Sequence, residues 1–465
     1  MFQAFLMLVG TILKARTGMM AVRPVPALRT GSRRGVLRAM RTFGGSSSID
    51  FRSEEFWSAT RRGLDQATGL QPAAYTDEDF YAAEKERLFG RAWVAVASAS
   101  EVAEPGRLLV RTVGDTSVLI ARGRDGVLRG FVNSCRHRGT ELASEDCTVS
   151  RMIRCPYHRW GYGLDGSLVA TPLFDEVPRP DFDPAGFSLL PVRVETWGFQ
   201  VFACLDERTP PLAEWLGDLP ERMGGYGFDG WYVHEKCSFD VAANWKLITE
   251  NFQEYYHLAW VHPELAKVSR VKDHYRYQGP GLYCGQTTTP VSGDERDDWL
   301  VLPPASGLDG SDSVSGRFVA VFPNLTLAVL PSHAFVMRLE PLSAGATREH
   351  CAFLFPPTTD PDTVGDAFEA TRKFWIEVNN EDIDICERSQ RGLALGAAPP
   401  GPLSPRFEEP LHRFQNMVAD CMTADSLATG LTVPGGDGPG DAERYGCGPN
   451  PSPPAIDARR WSSTD

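Results

Sequence analysis

Two short loops, Cys135-Arg136-His137 and Cys155-Pro156-Tyr157-His158, each offer one thiolate and one imidazole, in the pattern CxHx17CxxH. Two thiolates and two imidazoles suit a [2Fe–2S] cluster in which one iron is held by sulfur and the other by nitrogen. Exchanging two thiolates for neutral rings removes negative charge from such a cluster and raises its potential, so that it takes up electrons readily. The same four ligands could satisfy tetrahedral zinc, but zinc modules pair like with like, as CxxC followed by HxxxH, whereas each loop here mixes the two. Gly139, Pro156 and Gly161 are read as the turn residues that let backbone N–H groups approach the cluster sulfurs. Cys147 lies between the loops, breaks the spacing and reads as an ordinary thiol.

A cluster that passes single electrons needs an acceptor, and the segment NWKLITENFQEYYHLAWVH offers one. Glu254 stands three residues before His257 and shares a helical face with it. His262 follows five residues later, roughly 140° around a regular helix, so both imidazoles reach one metal only if the helix widens or ends between them. Pro263 supports an end at that point. Two histidines and one carboxylate leave coordination positions open on Fe(II), the usual arrangement for O2-activating centres. The carboxylate is expected from the acidic run EVNNEDIDICERSQRG, which contains Glu381, Asp382, Asp384 and Glu387. Taken alone, the two histidines would read as satisfied core residues and the acidic run as a solvated face.

The elements that must position these groups change style along the chain. Phe80, Tyr81, Glu84 and Leu88 recur at helical spacing. Short strand-like runs follow, WVAVAS, RLLVRTV, SVLIAR, LRGFVNS and RMIRC, punctuated by Gly, Asp and Pro; they predict an all-β module closed by VRVETWGFQVFACLD. After ERMGGYGFDGW a mixed segment begins, with strands expected at HEKCSFDV, GRFVAVFP, LTLAVLP, AFVMRLEPL and EHCAFLFPP. Long helices are expected over ANWKLITENFQEYYHLAW and VGDAFEATRKFWIEVNNEDIDICERSQRGL. Without βαβ alternation this is a mostly antiparallel sheet wrapped on a helix. Two GxGxxG matches, at 161–166 and 225–230, lack the strand-to-helix context of a nucleotide site and read as Asp-Gly turns. The sequon Asn324-Leu325-Thr326 is expected in a buried strand of a protein in a reducing compartment and is set aside.

The 465 residues suffice for two or three domains, and 42% apolar with 23% charged residues describes a globular chain. Ten cysteines spread over this length are no disulfide framework and, with the cluster, point to a reducing compartment. A net charge of -13 argues against a nucleic-acid partner. Residues 1–49 carry eight basic and no acidic side chains, so they read as an organelle transit peptide of plastid or mitochondrion. The alternative is a mistaken upstream start, with a cytoplasmic protein. No run reaches transmembrane length. Residues 50–225 are assigned to an N-terminal helix and the cluster domain, 226–430 to the second metal domain, and 431–465 to a Gly- and Pro-rich tail.

CxHx17CxxH together with NWKxxxENFxExYHxxxxH resembles the Rieske non-haem iron oxygenases, catalytic or alpha subunits, over about Tyr75 to Gly392. The resemblance implies an α+β protein: an all-β Rieske [2Fe–2S] domain followed by a helix-grip catalytic domain of antiparallel sheet plus long helix. It implies Cys135, His137, Cys155 and His158 as cluster ligands, His257, His262 and Asp382 as ligands of one mononuclear Fe(II), and O2 as co-substrate. Glu254 corresponds to the bridging carboxylate, linking His257 to His158 of a neighbouring subunit in a homotrimer. Electrons from NAD(P)H would come through a separate reductase or ferredoxin. The Glu at the bridge looks closest to the choline, carnitine and betaine oxygenases, implying monooxygenation or N-demethylation of a methylated amine. Trp245, Tyr255, Tyr256, Trp260, Tyr275 and Tyr277 are candidates for an aromatic cage around its cation. The alternatives are an aromatic-ring dioxygenase and a pure electron carrier or redox sensor.

Overall fold

Runs of β-branched and aromatic residues interrupted by Gly and Asp turns fold into strands whose described pairings are all antiparallel. The computed structural model describes residues 50–427 except 175, 178, 270, 272–273, 289–301, 303, 306, 309–311, 361–363 and 398. The basic leader and the expected tail lie outside the described residues.

The front half contains β1 (Val94–Ser98), β2 (Arg107–Val113), β3 (Thr116–Arg122), β4 (Leu128–Val132) and β5 (Cys147–Thr148). The short strands β6 (Ile153–Arg154), β7 (Gly161–Tyr162) and β8 (Leu168–Ala170) follow, then β9 (Pro191–Trp197) and β10 (Gln200–Cys204). They make one sheet in the order β1-β10-β9-β4-β3-β2-β5 and a small one in the order β6-β7-β8. The run VRVETWGFQVFACLD supplies β9 and β10, which complete the larger sheet. Both GxGxxG stretches are turns: the first is the β7–β8 hairpin, where Asp165 accepts from Ser167, and the second is two 3-10 turns.

The rear half is a second sheet, formed by β11 (Tyr232–Val241), β12 (His274–Arg276), β13 (Tyr283–Thr288), β14 (Gly316–Val321), β15 (Leu325–Val329), β16 (Ala334–Ser343) and β17 (Ala346–Phe355), in the order β11-β17-β16-β15-β14-β13-β12. Its central strand β15 is buried on both faces, which is why LTLAV is apolar but for Thr326. Leu325, Leu327 and Val329 face the front-half core with Trp93 and Phe202, while Ala328 faces the other way with Phe335, Phe353 and Trp375. Asn324 ties the halves together, since its amide donates to Ala95 O and Leu339 O, both at 3.0 Å, and accepts from Ala95 N at 2.9 Å. Its side chain is thus fully used inside the protein.

Five helices matter for the metal sites: α1 (Glu78–Glu84), α2 (Trp245–Gln253), α3 (Leu258–Val261), α4 (Gly365–Ala394) and α5 (Glu409–Thr423). Asp77 caps α1 by accepting from Asp79 N and Phe80 N, and the helix continues as a π turn over Lys85–Phe89, burying Phe80, Glu84 and Leu88. Fully buried Glu84 meets fully buried Lys246 of α2 at 2.6 Å. Burial raises the Glu84 pKa and lowers that of Lys246 against their mutual attraction. Such a pair holds registry more than it stabilises, yet losing one partner alone costs about 3–5 kcal/mol. Tyr75 donates to Glu250 of α2 at 2.8 Å, and Arg87 reaches Met422 O of α5 at 2.7 Å. The N-terminal helical segment therefore braces the helices behind the second metal site.

Candidate metal centres

The two cluster loops are built alike. In the first, Gly139 N donates to Cys135 O and Cys135 N to Thr140 O, both at 2.8 Å. In the second, Arg159 N donates to Cys155 O at 3.2 Å and Cys155 N to Trp160 O at 2.8 Å. Each turn closes through a left-handed residue, Gly139 at φ 73° and Arg159 at φ 61°. Gly161 serves differently from the expectation that it turns the chain: it lies in β7, where a Cβ would come within 2.6 Å of Met152 Sδ.

The loops bring the two expected imidazoles beside each other and set both expected thiols near the Tyr162 hydroxyl. Cys135 and Cys155 are buried, and the rings of His137 and His158 lie 4.8 Å apart at the outer side. Trp160 stacks on His137 at 4.6 Å and Tyr157 covers His158 at 3.7 Å. Burial, with His158 and Arg138 nearby, lowers the pKa of His137 and favours the neutral ring that a metal requires. One participant was not singled out from the sequence: Tyr162, whose hydroxyl lies 3.2 Å from Cys135 Sγ while accepting from Arg136 N at 3.0 Å. It stood inside the GxGxxG match, where only the glycines drew attention. Two buried thiols backed by a hydroxyl donor, with two imidazoles facing outward, fit a mixed-ligand cluster.

The second site departs from the expected helix. Asn244 caps α2 by accepting from Lys246 N at 3.0 Å, but α2 ends at Gln253 and Glu254 is extended, at φ -97° and ψ 159°. Glu254 and His257 therefore do not share a helical face. The Glu254 carboxylate accepts the N–H groups of Tyr256 and, at 3.4 Å, His257, which starts the next short helix α3. The break that lets both imidazoles converge thus lies before His257, with a further stop at His262.

His257 Nε2 stands 3.6 Å and His262 Nε2 2.9 Å from Asp382 Oδ1, and the three ligand atoms lie within 4.8 Å of one another. Donors about 2.1 Å from a shared metal stand at most about 4.2 Å apart, so the trio is close to a metal-binding arrangement. Each imidazole has its own carboxylate on the other nitrogen: His257 Nδ1 contacts Glu254 Oε1, and His262 Nδ1 lies 2.8 Å from Glu381 Oε2. Such partners fix the tautomer that turns Nε2 toward a metal. Burial opposes protonation of His262, but Asp382 and Glu381 outweigh it and push its pKa up to about 8; Glu254 and Asp382 likewise raise that of His257 despite burial. The group is short of positive charge, which a divalent ion would provide.

The other two acidic candidates face elsewhere. Asp384 pairs with Arg388 at 2.7 Å on the exposed side of α4, and Glu387 accepts from Ala242 N at 3.1 Å. A buried acid absent from the sequence reading is Glu349 of β17, which accepts from Asn379 Nδ2 at 2.8 Å one turn before Asp382. Burial, reinforced by Asp382, pushes its pKa up to about 7.

The six cage candidates do not converge. Trp245 is fully buried against Phe89 and Phe414, Tyr277 already faces Arg222 and Arg317, and Tyr255 stacks on His274. Tyr256 and Trp260 are exposed, and Tyr275 lies over Arg406. Three other aromatics link α2 to α4: Phe252 to Phe318 and Phe318 to Trp375, each at 6.2 Å.

Residues 92–181 match the Rieske [2Fe-2S] domain family, and residues 228–424 match the ring hydroxylating alpha subunit (catalytic domain) family. The chain is thus an oxidoreductase whose domains imply a Rieske cluster and a mononuclear iron. It belongs to the Rieske oxygenase alpha subunits, by its two domains, and is related to the quaternary ammonium monooxygenases. The glycine betaine monooxygenase oxygenase subunit of Pseudomonas aeruginosa is 28% identical over 399 residues, 78% of this chain and 90% of that one. The carnitine monooxygenase oxygenase subunit of Acinetobacter pittii is 29% identical over 335 residues, 69% of this chain and 83% of that one. The quaternary ammonium Rieske monooxygenase CntA superposes with a TM-score of 0.67 at 28% identity, covering 80% of this chain and 98% of that one. No helix among the described residues is long and apolar enough to cross a membrane.

Proposed function

We propose that this chain is the oxygenase component of an O2-dependent monooxygenase acting on a quaternary or methylated ammonium compound of the betaine, carnitine or choline kind, by hydroxylation or N-demethylation. The observation that carries this reading is the convergence of His257, His262 and Asp382 within 4.8 Å in a chain that also sets His137 beside His158 on the two CxH and CxxH loops. The substrate class follows the relatives named above. When bound, the cluster provides single electrons and the lone iron provides the O2 chemistry.

The residues prepare the site for both. Cys135, Cys155, His137 and His158 would hold the cluster, and the Tyr162 hydroxyl, 3.2 Å from Cys135 Sγ, would donate to that sulfur as a thiolate. Glu254 and Glu381 keep a proton on Nδ1 of His257 and His262, leaving each Nε2 lone pair for the metal. Asp382 adds the balancing charge. Reducing equivalents arrive from a separate reductase or ferredoxin.

We assign Glu254 a second task, carrying the electron path from His158 of a neighbouring subunit to His257. Two exposed faces support a head-to-tail ring: Tyr157 is 58% exposed beside His158, and Trp260 is 73% exposed beside His257. The His257→Ala variant tests the iron assignment. Iron per chain should fall from three atoms to two, with the cluster spectrum intact and oxidation of betaine, carnitine or choline lost; unchanged turnover would reject it.

A further inference from the structure

Cys237 on β11 and Cys351 on β17 stand directly opposite each other in the antiparallel ladder, and both are free thiols. They are the only cysteines paired across a ladder among the described residues. Opposed residues of antiparallel strands have Cα atoms about 4.5 or 5.5 Å apart, inside the range of about 4.4–6.8 Å that a disulfide spans. Their Cβ atoms start about 4.5–5.5 Å apart, somewhat beyond the roughly 3.8 Å of a relaxed bridge. A bond here would carry strain and be readily reduced.

The two thiols are differently placed. β11 is the edge of the sheet and Cys237 is half-buried, whereas Cys351 is 2% exposed. A hydrogen bond with Cys351 holds the Cys237 thiol below its usual pKa despite burial; burial and the same contact push Cys351 up. The accessible sulfur is therefore the better nucleophile, with a protonated partner behind it.

We infer that Cys237 and Cys351 form a reversible disulfide site that responds to hydrogen peroxide. Cys237 thiolate attacks one peroxide oxygen; an S–O bond forms, the O–O bond breaks, and the departing hydroxide leaves as water with the proton the thiol had lost. Cys351 sulfur then attacks the sulfenic sulfur; the S–S bond forms, the S–O bond breaks, and the Cys351 proton leaves with hydroxide as a second water. Two thiols lose two electrons and one peroxide gains them. The bridge staples β11 to β17 two residues from Glu349, which holds Asn379 one turn before Asp382.

The test is residue-resolved mapping of the holoenzyme after brief exposure to a few equivalents of peroxide, followed by thiol blocking and tryptic digestion without reductant. Peptides 237–246 and 349–372 should appear linked, two hydrogens lighter than their sum, and separate on adding dithiothreitol. Cys237→Ser should abolish the link, and Cys351→Ser, which keeps a hydroxyl donor beside the Cys237 sulfur, should leave a dimedone-reactive sulfenic acid at Cys237. The wild-type mapping needs no variant to fold. The inference is overturned if Cys237 and Cys351 remain fully alkylatable after the exposure, or if Cys351→Ser yields no sulfenic acid at Cys237.

Discussion

Tyr162 shows how one side chain can tune a centre it does not ligate. Its hydroxyl points at Cys135 Sγ and stays protonated, because burial and the neighbouring sulfur raise its pKa. A hydrogen bond to a cluster sulfur is stronger when the cluster is reduced, so it raises the reduction potential. If the difference is about 1–2 kcal/mol, Tyr162→Phe should lower the midpoint by roughly 40–90 mV for one electron. A spectroscopic redox titration reads this directly, and an unchanged midpoint would remove Tyr162 from the tuning role. The candidate ligands were legible because Cys and His at fixed spacing have few other uses. Tyr162 and Glu381 in its supporting position on His262 were not. Their roles depend on which loop or helix turn comes to face which, and spacing along the chain does not carry that information.

At the scale of elements, α2 is held by buried polar groups as much as by apolar packing. Glu250 accepts from Tyr75 at 2.8 Å and from Gln415 of α5 at 3.0 Å, and burial pushes its pKa up to about 7. A carboxyl whose folded pKa lies above its unfolded value near 4.5 contributes stability that is full below that value and is lost as pH rises through about 7. Thermal midpoints of the wild type should therefore fall between pH 5.5 and pH 8, and Glu250→Gln should make that fall shallower. An equally steep fall in the variant would place the pH dependence elsewhere. α5 itself escaped the sequence reading although Leu411, Phe414, Met417, Val418, Cys421 and Met422 recur at helical spacing; what the sequence could not show is that its polar side, with Arg413, Gln415 and Asn416, is buried as well. β13 escaped for a related reason: YCGQTT is short, polar and buried throughout. The long helix α4 and the strands rich in Val, Leu and Phe were plain. The break at Glu254 was not, because a capping role for an acid inside a helical pattern becomes visible only once the chain turns back.

For the whole molecule, the proposed electron path requires more than one chain. His158 is exposed, and exposed Trp260 follows His257 by three residues, so on the proposed path the assembly that joins them decides activity. The most direct measurement uses co-expressed, differently tagged subunits, one carrying Cys135→Ser and the other His257→Ala, with mixed oligomers isolated through both tags. Each variant alone should be inactive. On this account the mixed oligomer regains oxidation of the ammonium substrate, because an intact cluster on one chain serves an intact iron site on its neighbour. Mixed oligomers that form, bind both metals and remain as inactive as the two parents would contradict it.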